Sequence, residues 1–156
     1  MKNMRIKGMM LFLMTALLFF PVKAEAVGIL DTTKEVTLTI SCKDGDRGIA
    51  NAGFEIYQIG GITEAAEIIP NAAFDGRLPK LRELSGSEWR DLTQELCQLT
   101  QGENLAPVDS GYTDENGMLR FPQDGKKLEQ GLYLIVGGSA RQNGYSYTLS
   151  SCLVFL

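Results

Sequence analysis

Residues 36–42 (Val-Thr-Leu-Thr-Ile-Ser-Cys) alternate apolar and polar without a break. A period of two predicts a half-buried β-strand, with Val36, Leu38, Ile40 and Cys42 facing inward. The polar, glycine-bearing run 43–48 then predicts a turn. Residues 54–59 (Phe-Glu-Ile-Tyr-Gln-Ile) alternate again until Gly60-Gly61. The two runs predict an antiparallel hairpin with a long loop. Glu55 is the one acid inside this second run, and its position predicts a solvent-facing side chain.

The period changes after Gly61. Residues 62–74 are mixed and interrupted by Pro70, which predicts loop and short irregular pieces. Ser85 followed three residues later by Glu88 has the form of a capping box, in which each residue satisfies a backbone N–H at the start of a helix. Trp89, Leu92, Leu96 and Leu99 follow at helical spacing. They predict one amphipathic helix of three to four turns, ending near Gly102, with Trp89 anchored in the core.

Beyond Pro107 the pattern returns to strands. Asn116-Gly117 and Asn143-Gly144 are tight-turn signals. Residues 118–121 and 131–136 read as strands, the second stopped by Gly137-Gly138. Residues 145–156 close the chain as one or two more. Six or seven short strands with one inserted helix, over about 62–106, predict a mainly β chain folded as a β-sandwich.

The first 26 residues stand apart from this. Lys2, Arg5 and Lys7 precede an apolar run over 9–20, and Ala24-Glu25-Ala26 is a small-x-small site. That order predicts a secretory signal peptide cleaved after Ala26, leaving 27–156 as one exported domain. The apolar run is short for a membrane span, so no transmembrane segment is expected in the mature chain. After the leader, eleven basic residues face eighteen acidic ones, a net charge of about −7. Without a basic cluster the domain is a poor partner for nucleic acid. The chain has no histidine, which excludes Ser-His-Asp and Cys-His catalysis and removes the commonest zinc ligand. No paired-carboxylate motif is present, so neither an enzyme nor a cofactor is expected. Asp44, Asp46, Asp114 and Glu115 are oxygen ligands in principle, but their spacing does not match a calcium loop and turn chemistry accounts for them. Cys42, Cys97 and Cys152 contain no Cys-x-x-Cys pair. An odd count in an exported chain leaves two arrangements open: one disulfide with a free thiol, or three buried thiols.

Three segments, taken in order, resemble a known family. Leu38-Thr39-Ile40, a turn, and then residues 49–57 (Ile-Ala-Asn-Ala-Gly-Phe-Glu-Ile-Tyr) are similar to a polar turn followed by "L-x-G-A-x-F-x-L-Y". Residues 113–121 (Thr-Asp-Glu-Asn-Gly-Met-Leu-Arg-Phe) resemble "T-D-x-x-G-x-x-x-F". Residues 131–136 (Gly-Leu-Tyr-Leu-Ile-Val) resemble "x-G-x-Y-x-L/V". Together, over roughly 36–156, they resemble the collagen-adhesin B-type domain, the prealbumin-like (Ig-like) sandwich of Gram-positive surface proteins and pilins. The resemblance implies a non-enzymatic stalk or pilin-type module at the cell surface or cell wall. Its partners would be other surface or pilus subunits, or host matrix components.

Many members of that family join a first-strand lysine to a last-strand Asn or Asp, using a buried acid. Here Leu38 or Thr39 occupies the lysine position, Gly137 and Gly138 stand where the acid belongs, and Lys34 and Lys43 lie at strand ends. No such bond is expected. A sorting signal, a polymerisation lysine and the closing strand are likewise expected to be absent. In the resembling fold the first strand lies near the C-terminal strands, which implies a Cys42–Cys152 disulfide; two buried thiols remain the other reading. Cys97 reads as a packed helix thiol. A second function class is a secreted binding module for host matrix protein or carbohydrate. Tyr112, Tyr145 and Tyr147 would then be its contacts, or else ordinary strand residues.

Overall fold

The structure, a computed structural model, describes residues 31–156 apart from positions 33 and 124. The expected leader and its cleavage site at Ala26 lie outside the described residues. Eleven strand segments and one α-helix are found among the described residues. Among the described residues no helix is long and apolar enough to cross a membrane.

The chain is organised around one long strand, β4 (Gly53–Ile62). Along one edge β4 pairs antiparallel with β8 (Gly131–Gly137). Along the other it pairs first with β6 (Asp109–Tyr112), then with β5 (Ile68–Pro70). β11 (Cys152–Phe155) adds itself outside β8, giving the order β11-β8-β4-β5 with β6 beside the first half of β4. Alternation decides what each face meets. Phe54 and Ile56 of β4, with Tyr133 and Ile135 of β8, enter one core. Tyr57 and Ile59, with Leu132 and Leu134, enter a second core on the opposite face.

The first core is closed by β1 (Leu38–Ser41) paired antiparallel with β7 (Met118–Phe121). Leu38, Ile40, Leu119 and Phe121 pack there, together with Leu128 and Ala140. Ala140 belongs to β9 (Ser139–Gln142), which forms a hairpin with β10 (Tyr145–Thr148). Asn143 and Gly144 make its turn with φ of 53° and 82°, as the Asn-Gly signal requires. The second core is closed by α1 (Gly86–Gly102), through Leu92 and Leu96, with Phe74 from a short 3₁₀ turn.

The capping box is present. Ser85 N–H donates to Glu88 Oε2 at 2.7 Å, and Glu88 N–H donates back to Ser85 Oγ at 3.4 Å. The Ser85 hydroxyl, which donates to Glu88 Oε2 at 2.6 Å, and next the Ser85 N–H hold the exposed Glu88 carboxyl below its usual range. Trp89 is half-buried rather than deep, and meets Phe155 edge-on with ring centroids 6.2 Å apart.

Three expectations need correction. β1 does not form a hairpin with β4: both edges of β4 are already taken, so β1 pairs with β7 and packs across the face instead. The loop between them folds on itself as β2 (Lys43–Asp44) and β3 (Arg47–Gly48). Asn51, at φ 56°, then carries the chain into β4. Gly60-Gly61 does not end β4, because a bulge between Gln58 and Gly60 lets pairing continue to Ile62. The stretch 62–74 contains a strand, β5, that its Pro70 and mixed pattern concealed. The mainly β class with one helix holds, in several sheets rather than one simple layer pair.

Two glycines separate conformational strain from collision. Gly117 (φ 74°) has no room for a Cβ, which would stand 2.1 Å from the Cys42 carbonyl oxygen. Gly45 (φ 59°) has open space around it. Gly117→Ala should lower unfolding free energy by on the order of 4 kcal/mol, from the left-handed conformation plus the overlap. Gly45→Ala should lose only about 1–2 kcal/mol, from the conformation alone. Urea midpoints of the two variants check the order. In the second core, Leu96→Ala should cost about 2–5 kcal/mol through the cavity it leaves.

Candidate functional site

Three strands run on past the end of α1. Beyond Gln101 the helix no longer covers the sheet, and the cross-strand rows around Gly53 and Glu55 open into a groove of about 410 Å³. Tyr112 is paired directly with Gly53. Its ring lies over that glycine, with Cε1 3.0 Å from where a Cβ would stand. Gly53 thus makes room for the ring, which is 72% exposed. Glu55 sits one row inward, between Ser110 on β6 and Val136 on β8. Gly138 and Ser139 form the far side, and Gln101 reaches in from the last turn of α1.

Glu55 is exposed, as its place in the alternation predicted. It is also held. The Tyr57 hydroxyl donates to Glu55 Oε2 at 2.7 Å. Burial, and next that bond to a carboxylate, push the Tyr57 phenol up to about 12. Among the described residues, Glu55 has no ion-pair partner, and no Lys or Arg lines the groove. The site therefore offers one oriented carboxylate, one accessible aromatic ring, and amide, hydroxyl and backbone groups.

A second polar centre is internal. Asp109 is 1% exposed at the start of β6. Its Oδ1 accepts the Ser110 N–H at 2.9 Å and the Lys126 ammonium at 2.5 Å, while Oδ2 accepts the Gln123 N–H at 2.7 Å. Burial drives this carboxyl toward its neutral form, but the Gln123 N–H, Lys126 and the Ser110 N–H together hold it below its ordinary range. The network ties the large sheet to the loop after β7. Sequence reading missed it, because an acid after Pro107-Val108 looks like loop chemistry.

The three tyrosines do not form one surface. Tyr112 belongs to the groove above. Tyr145 and Tyr147 lie on β10 beside Asp44 and Arg47, where the Tyr147 hydroxyl donates to Asp44 Oδ2 at 3.0 Å. That bond, above all, raises the Tyr147 phenol. Among the described residues no group of three or more His, Cys, Asp or Glu is placed to hold a metal ion.

All three cysteines are free. Cys42 packs against the first core, and burial raises its thiol. Cys97 packs against the second core, as a helix thiol should. Cys152 opens the edge strand β11 and lines a groove of about 590 Å³ between α1 and that strand, together with Cys97. Burial, then the charge of Cys97, raises the Cys152 thiol. The structure does not join Cys42 to Cys152. Cys42 packs against the first core, whereas Cys152 lines the groove beside Cys97.

No family model and no curated protein matches the chain.

The Asp109 carboxyl binds its proton less tightly folded than unfolded. Its stabilising contribution is therefore complete above the unfolded value of about 3.9 and fades as pH falls below it. Asp109→Asn should flatten this acid limb of the stability curve, measured by urea unfolding at descending pH. Asp109→Ala should cost on the order of 3 kcal/mol at neutral pH, because the Ser110, Gln123 and Lys126 donors lose their buried acceptor. Tyr133, buried and donating to the Glu129 carbonyl, is also pushed up to about 12, chiefly by burial. Raised phenols favour the neutral form in the fold. Two of the five tyrosines should thus resist ionisation until about pH 12 in an ultraviolet titration, and stability should fall as pH climbs from about 10 toward 12.

Proposed function

We propose that this chain is an exported, non-enzymatic structural module of a Gram-positive cell-surface or pilus protein, built on the prealbumin-like sandwich its sequence resembles. The observation that carries this reading is the use made of β4 and β8. Both strands send buried residues from each face into two cores, Glu55 being exposed, and the resembling segments supply the core residues Phe54, Ile56, Leu119, Phe121, Tyr133 and Ile135. A strand pair clamped in this way suits a spacer that must hold its shape. The first 26 residues support export, and the acidic mature chain suits an extracellular surface.

The test is immunogold microscopy of source cells with an antibody to this chain, combined with mass spectrometry of the labelled pool. The expected result is label on the cell surface or along surface fibres, on protein beginning at Val27. Label confined to the cytosol, on protein retaining residues 1–26, would overturn the reading.

A further inference from the structure

The groove beyond the end of α1 goes past a purely structural role. Three features there favour positive charge independently of one another. Glu55 supplies a carboxylate oriented by the Tyr57 hydroxyl at 2.7 Å and paired with no cation among the described residues. Tyr112 supplies the exposed face of a π-system, whose quadrupole attracts cations. The C-terminal end of α1, where Gln101 enters the groove, carries the negative end of the helix dipole and has no basic residue in its last turn to offset it.

The glycines shape the site. Gly53 lies under the Tyr112 ring, and Gly138 forms the far side, where a thin chain can approach the backbone. The volume of about 410 Å³ falls within the roughly 300–1,000 Å³ of small-ligand sites. An acidic domain with about seven more negative than positive charges adds long-range attraction for a basic partner.

The geometry points to this groove as a docking site for a lysine or arginine side chain of a basic partner polypeptide, its charged head held between the Glu55 carboxylate and the Tyr112 ring. Ser110, Ser139 and the Gln101 amide stand by to accept the remaining N–H groups. The stem of the side chain lies along Gly138.

The test is a ¹⁵N NMR titration of the full chain with the capped tripeptide acetyl-Gly-Lys-Gly-amide. Saturable shifts are expected at the amides of Gly53, Gly138 and Ser139 and at the Gln101 side chain, and they should weaken as salt is raised. Acetylating the lysine Nε should abolish them. Glu55→Gln keeps an acceptor for the Tyr57 hydroxyl and should weaken binding by at least about tenfold. Tyr112→Ala uncovers Gly53 and risks the fold, so Tyr112→Leu is the informative variant. It keeps an apolar cover, loses the π-face and should weaken binding by about three- to tenfold, while Tyr112→Phe should retain it. Thermal midpoints of all variants verify folding. No saturable shift with the lysine peptide would overturn the assignment. So would undiminished binding by Glu55→Gln. Shifts at the same residues with neutral N-acetylglucosamine, but not with the peptide, would overturn it in favour of a saccharide.

Discussion

Everything in this molecule depends on the register of β4 against its neighbours. That strand has no free edge over most of its length, and only around Gly53 and Glu55 is one of its faces open. Phe54 and Ile56 look into one core while Tyr57 and Ile59 look into the other. A slip of one residue would exchange the two sets, putting Glu55 into the core that now holds Phe54 and Ile56. Such a strand has only one acceptable register, and the elements on either side are positioned by it.

Polar contacts fix the corners of the same arrangement. Thr113 is 3% exposed; its hydroxyl donates to the Ile49 carbonyl at 2.6 Å and accepts the Ala52 N–H at 2.9 Å. Those bonds tie the end of β6 to the segment that leads into β4. At the other end of β6, Asp109 ties the sheet to the loop after β7. Between these ends, β6 carries Ser110 and Tyr112 on the face that α1 leaves uncovered. The groove is therefore a consequence of length: the strands outrun the helix, and the row at Gly53 has only a ring from Tyr112 to cover it.

Much of this was legible in the residues. The capping box at Ser85 and Glu88, the tight turn at Asn143-Gly144 and the strand read over 131–136, which runs Gly131–Gly137, are local signals that appear where their chemistry places them. What was not legible was partnership. The alternation in 36–42 specifies a half-buried strand but says nothing about which strand it pairs with, and adjacency in sequence pointed to β4 instead of β7. β5 was hidden because Ile68-Ile69-Pro70 is too short for a period to show. Asp109 was hidden for another reason: a buried carboxylate is recognisable only through its donors, and Lys126 and Gln123 lie 17 and 14 residues away. The groove needed the third dimension as well, since Glu55 and Tyr112 are neighbours only through the β4–β6 pairing.

Native-state hydrogen exchange tests the central role of β4 most directly. If both cores rest on that strand, the amides of β4 and β8 around Ile56, Tyr57, Leu134 and Ile135 exchange only through global unfolding, with one shared free energy that exceeds that of α1 and of the β1–β7 pair. Exchange of the β4 amides through a local opening, ahead of those in α1 or β1, would contradict the account.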